Sequence, residues 1–421
     1  MKGPAKKPGA EAVYLGMNAV TAVGGALIVT VLTVYYFTAV GLSPLQLVLV
    51  GTTLETACFL LEVPTGVVAD TYSRRLSVIL GMLILGAAFM FVGSVPLFGA
   101  VLLGQLISGT GYTFLSGATD AWLADEVGEA NVGRIYLRSA QIERVVGLAG
   151  TLLSVGLASL WLGLPIIVGG ALISATGLGL ILFMPEHGFK PTPREARTTW
   201  HKMWGTFRDG LAVVRGSPVL LMLLGVTVFA GAASEGFDRL GDAHLLANFT
   251  FPALGALQPV VWFGLIRLGG GLISLTTTGL FRTRLEPITR NPAASARVLL
   301  VLNAVTVAAI LTFALAGSFA LAFAALMVRE AVHALAGPLY NAWLVQQVQP
   351  EVRATVLSMV SQTDALGQIA VGPGIGAVGN RSLRAALTLA GLMLAPVSLV
   401  YARVARHHAE NPQPVAGAVE P

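Results

Sequence analysis

Cysteine is nearly absent from this chain: one residue, Cys58, in 421. That excludes a disulfide framework and a cysteine-based metal site. Charge is scarce as well. Asp, Glu, Lys and Arg make up 11% of the residues, against about 25% in an ordinary soluble domain. Water cannot hold a surface so poor in charge, so lipid must be the solvent for most of the chain. No P-loop, HExxH, GxSxG or metal-ligand spacing occurs, so no catalytic residue, cofactor or metal is assigned and no enzyme is expected. The net charge is +5, but no basic run is interleaved with aromatics, and no nucleic-acid partner is expected.

What the chain has is apolar residues, 55% of the total, with a mean hydropathy of +0.77. It also has 49 glycines, which suit close helix packing where lipid supplies no hydrophobic drive. A membrane helix needs about 20 mostly apolar residues. Runs of that kind predict an all-α integral membrane protein with spans near 13–39, 45–69, 76–95, 97–123, 138–160, 164–184, 217–240, 256–281, 297–316, 318–345, 354–378 and 383–403. The first run is too long for a cleavable signal. Around them the reading places a cytoplasmic tail (1–12), a six-helix half (13–184), a cytoplasmic connector (185–216), a second six-helix half (217–403) and a disordered cytoplasmic tail (404–421). The connector, with Trp200, His201, Lys202 and Trp204, reads in part as an amphipathic helix at the membrane surface.

Loop charge orients these spans. With the N-terminus inside, the inner loops and tails hold Arg74, Arg75, Arg134, Arg138, Lys190, Arg194, Arg197, Lys202, Arg208, Arg215, Arg282, Arg284, Arg290, Arg297, Arg353, Lys2, Lys6, Lys7, Arg403 and Arg406. The outer turns hold only Arg381 and Arg384. Both termini are therefore expected in the cytoplasm of a bacterial-type cell, with the chain in its inner membrane.

The two halves echo each other. Ala121-Trp122-Leu123 closes the fourth span and Ala342-Trp343-Leu344 closes the tenth, 221 residues later. Gly147 and Gly156 match Gly367 and Gly376 at an offset of 220. This is the pattern of parallel repeats in large transporter folds, with a substrate site expected between the halves near the bilayer midplane. Trp122 and Trp343 are expected to be interfacial belt residues.

Between the second and third spans lies Gly66-Val67-Val68-Ala69-Asp70-Thr71-Tyr72-Ser73-Arg74-Arg75. This run resembles the loop signature of the major facilitator superfamily: Gly, three residues, Asp, a basic residue, any residue, Gly and two basic residues. Thr71 and Ser73 replace the usual basic residue and glycine. Glu62-Val63-Pro64-Thr65 and Ala118-Thr119-Asp120-Ala121-Trp122-Leu123-Ala124-Asp125 resemble the bacterial twelve-helix drug efflux-type members. The resemblance runs from about residue 12 to 405. It implies two pseudo-symmetric six-helix halves and a conformational-switch loop built on Gly66, Asp70, Arg74 and Arg75. In that loop Gly66 would admit a neighbouring helix and Asp70 would bind arginines or cap a helix. Two further departures stand out, the second of which weakens an antiporter. The second-half loop Gly279 to Arg284 lacks the Asp, and the fifth span lacks the Gly-Pro motif, which occurs instead at Val371-Gly372-Pro373-Gly374 in the eleventh.

Charged side chains inside the bilayer are expensive and therefore mark candidate sites. Glu55 and Glu62 lie seven residues apart on one face of the second span. With Asp120, Asp364 and His333 they are the proton-coupling or substrate candidates, since carboxylates and histidine can load and release protons. The remaining candidates are buried charge pairs: Glu143, Arg144, Glu235, Asp238, Arg239, Arg267, Arg329 and Glu330. Glu143 and Arg144 point about 100° apart and need partners elsewhere; Asp120 is a candidate partner for Arg144. Glu235 and Arg239 can pair at i, i+4. Arg267 would pair with Glu235 or Asp238, and Asp364 with Arg329. The expected function is secondary active transport, as a monomer, of a small-molecule substrate coupled to protons. Export of amphipathic drugs leads, import of a polar or anionic metabolite is second, and a non-transporting receptor or assembly partner is third.

Overall fold

The structure, a computed structural model, describes residues 9–191, 208, 215, 218–254, 260–289, 291–346, 348 and 353–410. The N-terminal tail to residue 8, the connector segment holding Trp200, His201, Lys202 and Trp204, and the tail from 411 onward lie outside the described residues. The described chain is helical, with no strand. Its helices are α1 (Ala10–Val34), α2 (Pro44–Thr71), α3 (Arg74–Ser94), α4 (Phe98–Leu115), α5 (Ala118–Val127), α6 (Glu129–Ala158), α7 (Leu164–Phe183), α8 (Pro218–Asn248), α9 (Val260–Thr289), α10 (Pro292–Leu315), α11 (Phe319–Gln346), α12 (Arg353–Gly379), α13 (Leu383–Met393) and α14 (Ala395–Glu410).

Among the described residues, eleven helical segments are long and apolar enough to cross a membrane. In that set α4 with α5, and α13 with α14, each count as one span. The twelfth expected span, α12, has the length but is diluted by Ser361, Gln362, Asp364, Gln368 and its glycines. Several helices outrun their apolar runs. α6 starts at Glu129 and carries Arg134 and Arg138 on its first turns. α9 continues to Thr289, so Arg282 and Arg284 ride on helix rather than loop.

The chain divides into two compact units, residues 1–199 with 252–267, and 200–251 with 268–421. In the first, α1 packs on α6 and α7, α3 on α4 and α7, and α2 on α4. Backbone meets backbone at several glycine pairs, two of which show how close the helices come. A Cβ on Gly86 would lie 2.4 Å from the Gly170 carbonyl oxygen, and one on Gly169 would lie 2.6 Å from that of Gly24. Gly66 is different: a Cβ there would meet nothing within 4 Å among the described residues. α1 ends in a π-helical turn, Tyr35–Ala39. The wider turn buries two consecutive tyrosines. The Tyr35 hydroxyl donates to the Val92 carbonyl at 2.8 Å, and the Tyr36 hydroxyl accepts from Gln105 Nε2 at 2.8 Å.

In the second unit, α12 and α13 pack on α8, and α11 and α14 on α10. Trp343, Tyr401, Leu223, Leu299 and Leu339 share one apolar core. The 221-residue echo holds in an unexpected detail. The helix ending in Trp122 is broken at Ser116 and Gly117, where Gly117 has φ +69°; the equivalent helix ending in Trp343 is continuous and carries Pro338 at the matching position.

Candidate functional site

The first unit gathers its charges at one end. Arg74, at the start of α3, lies 3.8 Å from Asp70 and makes a much closer ion pair with Asp125 on α5. It also donates to the Ala121 carbonyl at 2.9 Å. The loop acid Asp70 is thus the minor partner, and it is 58% exposed. Arg75 donates from its side chain to the Ile181 carbonyl at 2.6 Å. The N-terminus of α3 is capped by Glu186, which accepts from the Ser73 hydroxyl at 2.7 Å and from the Arg75 amide at 2.9 Å. A carboxylate is well placed there because it meets unsatisfied amides and the positive end of the helix dipole. Glu126 in turn accepts from the amides of His187 and Gly188. Glu186 and Glu126 were not among the sequence candidates; each stands beside a helix end, where a carboxylate can meet free amides.

The intramembrane candidates of this unit form no single site. Glu55 and Glu62 share a face, both acting on Cys58 between them. Asp120 faces the hydroxyls of Tyr136 and Tyr14. Glu143 accepts from the Ser139 hydroxyl at 2.5 Å, which accepts from Asn18 at 3.1 Å. The expected Asp120–Arg144 pair does not form among the described residues: Arg144 and Asp120 are both exposed, and Asp125 is half-buried. The α4–α5 break re-aims the helix just before Asp120.

Both tryptophans correct the belt expectation. A belt residue needs its ring at the lipid headgroups, and Trp122 is 1% and Trp343 0% exposed. They are core residues.

The second unit does assemble a site. A cavity of about 480 Å³ is lined from α8, α10, α11, α12 and α14, within the usual range of about 300–1,000 Å³ for ligand pockets. Its lining is mostly apolar and includes Phe237, Tyr340 and Tyr401; its polar groups include Asn303, Ser361, Arg329, His333 and Asp364. Arg329 reaches Asp238 at 3.2 Å and Glu330 at 2.9 Å, and its guanidinium lies 4.0 Å from the centre of the Phe237 ring. The expected Arg329–Asp364 pair is therefore not made. Asp364 instead accepts from Gln368 Nε2 at 2.8 Å. It sits where α8 and α12 touch: a Cβ on Gly231 would lie 2.3 Å from the Asp364 carbonyl oxygen, and one on Gly367 would lie 2.3 Å from that of Val228. His333 lines the cavity, is exposed, and makes no hydrogen bond among the described residues, so it is not a packing histidine.

The other charges lie outside the cavity lining. Glu235 and Arg239 pair at 3.2 Å, as their spacing predicts, and Glu235 is only 2% exposed, so Glu235 itself is core while Asp238 beside it is exposed. Asp238 and Glu235 are thus engaged by Arg329 and Arg239. Arg267 is exposed, not buried as expected. Of the eight residues read as buried pairs, only Glu235 is fully buried; Glu143, Arg239, Arg329 and Glu330 are half-buried, and Arg144, Asp238 and Arg267 are exposed.

Comparison with known proteins agrees with this architecture. Residues 14–371 match the profile of the Major Facilitator Superfamily. The MFS-type transporter YxaM of Bacillus subtilis (strain 168) is 23% identical over 340 residues, covering 78% of this chain and 79% of its own. The crystal structure of the nucleoside transporter NupG superposes with a TM-score of 0.75 at 16% identity, covering 95% of this chain and 99% of its own. A POT family transporter in complex with a thioalcohol-conjugated peptide gives 0.69 at 12% identity, with 96% of each chain covered. The chain is a multi-pass membrane protein and belongs to the Major Facilitator Superfamily, a family of secondary transporters.

Proposed function

We propose that the protein is a proton-coupled secondary transporter that exports small amphipathic molecules across the cytoplasmic membrane as a monomer with both termini inside. The observation that carries the reading is Asp364. Its carboxyl group lies on a largely apolar cavity large enough for a small molecule, with one hydrogen-bond donor to it and, among the described residues, no cation within 4.0 Å. Such a group can be carried across a conformational cycle either protonated or paired with substrate, which is the requirement for coupling. His333, on the same cavity, is the candidate relay. Glu55, Glu62 and Asp120 belong to the first unit, are not in the lining of this cavity, and are assigned no coupling role. Export rests on the resemblance of Glu62 to Thr65 and Ala118 to Asp125 to efflux-type members. The loop from Gly66 to Arg75 is assigned the conformational switch, with Asp125 as the partner that Arg74 exchanges.

Import of an anionic metabolite loses one of its two supporting arginines, because Arg329 is already held by two carboxylates. The test is flux in proteoliposomes under an imposed pH gradient, with dyes, amines and organic acids as solutes. Proton-driven flux is expected for wild type and Glu55→Gln and is expected to vanish in Asp364→Asn. Full flux in Asp364→Asn would overturn the assignment. Absence of flux for every solute would favour a receptor.

A further inference from the structure

Helices α1 and α7 cross where glycine lets backbone meet backbone. A Cβ on Gly24 would lie 2.9 Å from the Gly169 carbonyl oxygen. Toward Ala12 on α1 and Phe183 on α7, a groove of about 330 Å³ opens between the two helices. It is open because side chains are missing. Gly16 and Gly179 both line it, and a Cβ on either would meet nothing within 4 Å among the described residues. Thr176, the polar side chain of the lining, donates back to the Leu172 carbonyl at 2.9 Å, so the groove asks for no hydrogen bond. From Ala12 to Val20 it follows α1 for roughly 12 Å, at about 1.5 Å per residue. A helix, about 10 Å across, could only lie over such a groove, whereas a flexible hydrocarbon chain fits within it.

The mouth of the groove lies at the ends of two candidate membrane spans, Ala10–Ala39 and Leu164–Phe183, the level at which lipid headgroups begin. Arginines flank it on both sides. Glu11, next to Ala12, accepts from Arg134 and Arg138 of α6 at 3.1 Å each, so two guanidiniums share one carboxylate. Their side chains are 68% and 61% exposed, open to an incoming anion. On the other side, Arg75 of α3 donates at 2.6 Å to the carbonyl of Ile181, next to Leu180 in the groove. Glu186 holds the main-chain amide of Arg75 and not its guanidinium, whose Nε has no partner among the described residues. A guanidinium carries five N–H donors in a fork that matches phosphate.

We propose that this groove binds one acyl chain of an anionic phospholipid, its phosphate drawn to Arg134 and Arg138 on one side and Arg75 on the other. The chain takes the place of the side chains that Gly16 and Gly179 lack and completes the packing of α1 on α7. The groove itself is indifferent to headgroup, so selection falls to the arginines, which favour anionic over zwitterionic lipid. The site lies wholly within the first unit and does not depend on what the cavity of the second unit carries.

The test uses purified full-length protein in mixed micelles with phosphatidylglycerol or phosphatidylcholine, each bearing the same diazirine-labelled acyl chain. Labelled peptides are read by mass spectrometry. The phosphatidylglycerol probe is expected to label residues 10–20 and 176–183 in preference to the phosphatidylcholine probe, by about fivefold for each arginine engaged. Gly16→Leu and Gly179→Leu fill the groove and are expected to abolish this labelling. Gly99→Leu, at an equally open glycine outside the groove, is expected to leave it intact. Replacing Arg134 and Arg138 together by Gln is expected to bring phosphatidylglycerol down toward phosphatidylcholine. Equal labelling by the two probes in wild type would overturn the anionic class. Labelling that survives both Gly16→Leu and Gly179→Leu would rule out the groove. Competition by inorganic phosphate as strong as by unlabelled phosphatidylglycerol would make this a free-anion site and defeat the lipid. A dimer in micelles that Gly16→Leu splits into monomers would give the groove to a second copy instead.

Discussion

Trp122 and Trp343 hold the same position in the two halves, yet among the described residues only Trp122 has a hydrogen-bond partner for its indole. The Trp122 indole donates to the Pro185 carbonyl at 2.6 Å. The Trp343 indole is buried against Tyr401, ring centres 5.7 Å apart, and its N–H has no partner among the described residues. A buried donor without an acceptor is an unusual and costly arrangement.

That difference makes the two positions unequal on substitution. Trp→Phe removes similar ring volume at both. At Trp122 it also strands a carbonyl, at about 1–3 kcal/mol. At Trp343 it relieves an unsatisfied N–H. Trp122→Phe is expected to lower the thermal unfolding midpoint in detergent clearly more than Trp343→Phe; equal shifts would refute the pairing.

Gly147 and Gly367 also match in the two halves and differ in surroundings. A Cβ on Gly147 meets nothing within 4 Å, while one on Gly367 meets the Val228 carbonyl oxygen at 2.3 Å. Gly147→Ala is expected to be neutral or stabilising by up to about 1 kcal/mol through helix propensity. Gly367→Ala must push α12 from α8 and is expected to cost about 1–3 kcal/mol. Comparative unfolding measurements on the two variants check the sign.

Arg74 should couple to Asp125 and hardly to Asp70. The pair with Asp125 is half-buried on both sides, whereas Asp70 is exposed and 3.8 Å away. Double-mutant cycles to alanine are expected to give a coupling of about 1–2 kcal/mol for Arg74 with Asp125 and under about 0.5 kcal/mol with Asp70. The reverse order would mean that the loop acid holds the arginine.

Glu186 should act as an external cap of α3. Glu186→Ala is expected to cost about 0.5–2 kcal/mol and to speed hydrogen exchange at the Arg75 amide, with Glu186→Gln restoring part of the protection. Unchanged exchange in Glu186→Ala would rule the cap out.

Much of this was legible in the residues. The twelve apolar runs found their helices, and Glu235 with Arg239 found each other, because helix period and local spacing need no tertiary information. Depth and partners were less legible. Trp122 and Trp343 sit at the ends of their runs, where a belt is the ordinary expectation; burial of both depends on helices far along the chain. Arg329 was expected on Asp364 and instead holds Asp238 and Glu330, a choice set by how α8 and α11 pack. Asp120 is exposed and Asp125 half-buried, on a helix that starts afresh after Gly117 takes a positive φ between Leu115 and Ala118, which a tolerant residue permits but does not announce.

The π-helical turn at Tyr35–Ala39 closes the first span, so its last residues follow a wider repeat than the residues up to Val34. Extending the α-helical repeat of Ala10–Val34 through Tyr35 and Tyr36 would place them on rotated faces. Removing a single residue there would close the turn to an ordinary helix, and Tyr35 and Tyr36 could no longer reach Val92 and Gln105 together.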